Sequence, residues 1–82
     1  MESLAALKMG QKARITAVEG DDSLAMRLLE MGLTEGEVVA LIGRAPLGDP
    51  LEFSLRGYRI SLRGAEAERV HVEIVGPADS VE

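Results

Sequence analysis

His71 and Glu73 come nearest to a chemical site. Val70, Val72 and Ile74 alternate with them in an apolar-polar run, so the two side chains point the same way from one strand. Together they offer an imidazole and a carboxylate to a divalent cation, with Glu66 or Glu68 as a third donor. Two ligands from one strand are a thin metal signal, and a solvated polar strand face is the competing reading. His71 has no cysteine to activate, since the chain contains none, and no serine sits in a nucleophile-elbow context. The phosphate-cradling Gly-x-x-x-x-Gly-Lys-Ser/Thr pattern is missing. Glu19, Asp21, Asp22, Glu35 and Glu37 match a calcium loop in acidity but not in spacing. No catalytic, cofactor-binding or metal-binding residue is therefore assigned, and the chain is read as non-enzymatic.

The remaining chemistry is binding. Arg56, Arg59 and Arg63 form a basic strip suited to an anionic partner such as RNA, although Glu52 lies diagonal to Arg59 on the same side and favours a solvated face. The net charge is −5, and Phe53 and Tyr58 are the only aromatics. Nonspecific nucleic-acid affinity needs clustered cations, and base stacking needs more rings, so nucleic acid is not the expected partner.

Those residues must be held by a small scaffold. At 82 residues the chain is expected to bury only about 60 to 65% of its unfolded surface. The expected arrangement is a single domain over 1–76 and a disordered tail over 77–82. With no cysteine, neither a disulfide nor a thiolate zinc site can staple it, which suits a reducing compartment. The start lacks a basic n-region, and the longest apolar run, Val38 to Ile42, is far short of the roughly 20 residues that span a bilayer. A soluble, cytoplasmic protein without direct membrane insertion is expected.

The spacing predicts one substantial helix within Asp21 to Gly36, opened by Asp22 or Ser23 as N-cap without a capping box. Leu24, Leu28 and Met31 make its apolar stripe, widened by Ala25 and Leu29, which leaves Met26, Arg27 and Glu30 on the open side. Arg27 either pairs locally with Ser23 or Glu30 or presents its charge to a partner. Gly32 is expected at positive φ, with Leu33 packing on Leu28 in a Schellman cap.

Before the helix, Ser3 caps a turn carrying Leu4 and Leu7. A strand then runs from Lys12 to Val18 with Ala13, Ile15 and Ala17 inward. After it, Glu37 to Gly43 reads as a strand covered on both faces. The breaker-rich stretch Arg44 to Pro50 exposes Leu47. Leu51 to Arg63 reads as a hairpin turning at Arg56-Gly57, with Leu55 facing Tyr58, Phe53 facing Ile60 and Leu51 facing Leu62. Arginine is a poor occupant of the first type I′ position, so a looser loop with a bulge at Gly57 stays open. One helical turn over Gly64 to Glu68 precedes a last strand stopped at Gly76-Pro77. The expected fold is mainly β: a small, partly open five-stranded SH3-like β-barrel with one short inserted α-helix.

Leu4-x-x-Leu7-x-x-Gly10, Arg27-Leu28-x-x-Met31-Gly32-Leu33-x-x-Gly36, Ala45-Pro46-Leu47-Gly48-Asp49-Pro50 and Ile60-Ser61-Leu62-Arg63-x-x-x-Ala67 stand in an order that resembles the ferrous iron transport protein A family. Met31 stands where that pattern has leucine, and Gly64 where lysine is common. The resemblance implies an accessory protein of ferrous iron uptake that binds the permease's cytoplasmic nucleotide-binding part and supports or regulates transport. Met26, Arg27, Glu30, Leu47, Arg56 and Tyr58 are the expected partner-binding residues, from predicted exposure. Weak pairing of two copies through a barrel edge is a further expectation. A metal-responsive regulatory or nucleic-acid-associated SH3-like module is the alternative reading.

Overall fold

The computed structural model describes residues 2–77. Alternation decides the strands and glycine-containing turns separate them. The order is β1 (Glu2–Ser3), a 3-10 turn (Leu4–Ala6), β2 (Gln11–Val18), α1 (Ser23–Glu30), β3 (Val38–Arg44), β4 (Leu51–Leu55), β5 (Tyr58–Leu62), α2 (Gly64–Ala67) and β6 (Val70–Pro77). Among the described residues one antiparallel sheet runs β1-β6-β2-β3-β4-β5 and curls around its core without closing, so β1 and β5 are its free edges there. This is the mainly β, partly open SH3-like architecture expected. Among the described residues it has six strands rather than five, because Glu2 and Ser3 pair with Val72 and His71 before the first turn. The second short helix, α2, is the helical turn expected over Gly64 to Glu68.

Leu4, Ile15, Leu28, Leu33, Leu41, Phe53, Leu55 and Val70 meet in one buried cluster. Burying each aliphatic or aromatic side chain is worth roughly 1.5 to 3 kcal/mol, and that aliphatic core holds the sheet curled. Among the described residues no polar or charged side chain is buried.

Three irregularities overturn local expectations, each by putting two residues opposite one. Thr16 is extra between the pairs Ile15–Val72 and Ala17–His71, so the alternation resets and Ala17 faces out. Val75 is extra opposite the step from Lys12 to Ala13, and β6 continues through Gly76 to pair Pro77 with Gln11 rather than stopping there. Ile42 is extra between Leu41–Phe53 and Gly43–Glu52. Ile42 and Val38 are exposed, so β3 is covered on one face only. The helix does not lie over its outer side but delivers Leu28, and Leu33 beyond it, into the shared core.

Candidate surface for a protein partner

The helix begins where Asp22 Oδ1 accepts from the Ala25 N–H at 3.2 Å. It ends as the sequence predicts: Gly32 has φ 100°, its N–H donates to Leu29 O at 3.0 Å, and the Leu33 N–H donates to Leu28 O at 3.2 Å. Those are the two Schellman bonds, and Leu28 and Leu33 are both fully buried. Ala25 is buried and Leu24 and Met31 are half-buried, but Leu29 is exposed, so the stripe is narrower than expected. Met26, Arg27 and Glu30 occupy the open side, and Met26 is 55% exposed.

Arg27 does not pair along the helix. Its Nη2 donates to Glu66 Oε2 at 2.6 Å, while Glu66 Oε1 accepts the Arg63 N–H at 2.8 Å and caps α2. One carboxylate thus ties α1 to the start of α2. At the other end of α1, Asp22 receives both terminal nitrogens of Arg69, at 3.0 and 2.8 Å. Arg69 also donates to Glu19 O at 3.1 Å. Hydrogen bonding from Arg69, then from the Ala25 amide, holds the Asp22 carboxyl well below the usual carboxylate range, and the Arg69 guanidinium is pushed up in turn. Sequence reading missed Arg69. Its partners lie some fifty residues away in the chain, and no local pattern joins them.

The β4–β5 hairpin has the tight register: Leu55 pairs with Tyr58, Phe53 with Ile60 and Leu51 with Leu62. Arg56 takes the positive-φ turn position at 53° and Gly57 follows at 86°. Long-range pairing offsets that poor turn residue. Arg56 Nε and Nη2 donate to the two oxygens of Glu37 at 2.9 and 2.5 Å, a bidentate fork that lowers the Glu37 pKa and raises that of Arg56. Tyr58 is 48% exposed and its hydroxyl donates to Met31 O at 3.4 Å. Hairpin tip and helix end therefore share one surface.

Leu47 belongs to a second patch. Its loop leads into β4 at Leu51, the opposite end of that strand from the Arg56 turn, and the residue is 97% exposed. Its loop is ordered by its own backbone: Gly48 N–H donates to Ala45 O at 2.8 Å and Ala45 N–H to Pro50 O at 3.0 Å. Asp49 Oδ1 accepts the Gly64 N–H at 2.7 Å, which fastens the loop to α2. The two patches are linked through α2, by Asp49–Gly64 on one side and Glu66–Arg27 on the other.

The metal candidate does not assemble. His71 Nε2 lies 3.1 Å from Glu19 Oε1, across the sheet rather than along its own strand, and Glu73 is exposed. Among the described residues no three His, Asp or Glu side chains group as a metal site would require. The basic strip is also reduced, since Arg56 is held by Glu37 and Arg59 lies 3.5 Å from Glu52.

These features define a small SH3-like domain with an ordered apolar loop and a helix-hairpin face. The FeoA domain family model matches residues 2–74, and the chain belongs to that family, which is associated with ferrous iron transport. It is 36% identical over 72 residues to an Fe(2+) transport protein A/Fe(2+) transporter FeoB fusion protein of Porphyromonas gingivalis. That match covers 88% of this chain and 8% of the relative, so the chain spans a small fraction of that protein. The solution structure of iron(II) transport protein A from Clostridium thermocellum superposes with TM-score 0.85 at 36% identity, covering 90% of this chain and 46% of that one. The Stenotrophomonas maltophilia FeoA crystal structure, complexed with zinc and described as a prokaryotic SH3 domain protein, gives TM-score 0.79 at 32% identity over 89% and 91% of the two chains. Among the described residues, no helix of this chain is long and apolar enough to cross a membrane.

Proposed function

We propose that this chain is a non-catalytic, cytoplasmic accessory module that docks on the cytoplasmic nucleotide-binding part of a ferrous iron permease and thereby supports or regulates iron uptake. One observation carries the reading. In the Porphyromonas gingivalis relative a FeoA segment 36% identical to this chain is part of the same polypeptide as a FeoB transporter, an arrangement that holds two partners at high effective concentration.

The docking surface combines Leu47 with the face formed by Met26, Arg27, Glu30, Arg56 and Tyr58. Leu47 is the anchor: an ordered loop presents it fully exposed, so little loop entropy is lost when a pocket receives it. Arg27 and Arg56 enter already oriented by Glu66 and Glu37. Titrating the permease's soluble cytoplasmic domain into the chain tests the reading. A Leu47→Asp and Arg27→Glu double variant that stays folded and binds as tightly as the parent would refute this surface.

A further inference from the structure

Among the described residues β5 stands at the end of the sheet and pairs with β4 alone. A two-residue turn closes on Leu55 and Tyr58, so that pair exchanges backbone hydrogen bonds, as do Phe53–Ile60 and Leu51–Leu62. The N–H and C=O groups of Arg59 and Ser61 therefore point away from β4 toward the open edge, and both residues are exposed. Beyond them the Arg63 N–H is taken by Glu66 Oε1 at 2.8 Å and the chain turns into α2.

Side chains flanking that edge specify what fits it. On one face Arg59 is 74% exposed and loosely held by Glu52, and Arg63 follows with no ion pair among the described residues. On the other face Tyr58 is half exposed and Ile60 half-buried. A second copy of β5 added antiparallel, with Arg59 opposite Ser61, would bring the two Arg59 side chains diagonal to each other and to Arg63, which like charges oppose. Carboxylates in those positions would be attracted.

We infer that the β5 edge receives an extended acidic segment of another protein as an added strand. Its carboxylates alternate with apolar residues, so the acids face Arg59 and Arg63 while the apolar side chains cover Tyr58 and Ile60. The inference concerns the chemistry of the segment and holds whether or not the permease carries it.

The test uses the full chain, isotope-labelled, with a short blocked peptide of alternating glutamate and valine, and the same peptide with lysine for glutamate. The glutamate peptide should slow exchange at the Arg59 and Ser61 amides, with affinity falling as salt rises. It should bind roughly tenfold more weakly to an Arg59→Glu and Arg63→Glu double variant with an unchanged fold. Equal binding of the lysine peptide, or unaltered exchange at those two amides under saturating glutamate peptide, would overturn the inference. Concentration-dependent protection of the same amides in the protein alone would assign the edge to a second copy and would overturn it too.

Discussion

The hydroxyl of Tyr58 donates to the carbonyl oxygen of Met31 at 3.4 Å, joining the tip of the β4–β5 hairpin to the last turn of α1. Gly32 lies beneath this contact. A Cβ there would meet the Tyr58 oxygen at 3.0 Å and Leu55 Cδ2 at 3.3 Å, on a backbone already at φ 100°. Gly32→Ala should cost about 1 to 2 kcal/mol from the left-handed conformation alone, and the crowding adds to it. Tyr58→Phe removes the closer contact and should relieve part of that added cost, which urea unfolding of the two single variants and the double variant will measure. An unchanged melting temperature for Gly32→Ala would refute the cap.

Leu28→Ala probes the other half of the cap. Leu28 is fully buried against the core that Leu33 also enters, so truncation should destabilise by about 2 to 5 kcal/mol. A loss below about 1 kcal/mol in chemical denaturation would mean that α1 is not packed as described.

Much of this was legible in the sequence, and what was not has a common physical origin. Leu28, Gly32 and Leu33 declare the helix end because a Schellman cap is local chemistry written in adjacent residues. The hairpin register was readable because a one-residue slip would turn Phe53 and Leu55 outward. The bulges at Thr16, Ile42 and Val75 have no local signature, because each is defined by register against a partner strand distant in sequence. The Arg69 clamp on Asp22 and the Arg27–Glu66 pair depend on contacts between distant segments that periodicity cannot register. Exposure of Leu47 was predicted from proline and glycine density and is found. The order that its loop acquires from Asp49 and Gly64 was not predicted.

Stability should depend on pH through Asp22. Its native carboxyl titrates below the usual range, so as pH falls from about 4 the unfolded chain takes up the proton first and stability declines. Asp22→Asn keeps an oxygen for the Ala25 amide but loses the charge opposite Arg69. The stability difference between parent and variant should be steady above about pH 5 and shrink toward zero as pH falls through the depressed native value. Urea melts across that window check the sign, and a difference that grows on acidification would contradict it.

At Leu47 stability and binding should separate. With 97% of its surface exposed, Leu47→Asp should alter unfolding by no more than about 0.5 kcal/mol while weakening the permease complex. A large loss of stability would show that the loop has a structural task instead.

Docking itself is tested most directly by a two-dimensional NMR titration of the labelled chain with the soluble cytoplasmic domain of its own organism's ferrous permease, with and without guanine nucleotides. Shifts are expected at Leu47 and its loop, along Met26 to Glu30, and at Arg56 and Tyr58, with the opposite sheet face undisturbed. A titration to high concentration that leaves all of these resonances in place would contradict docking.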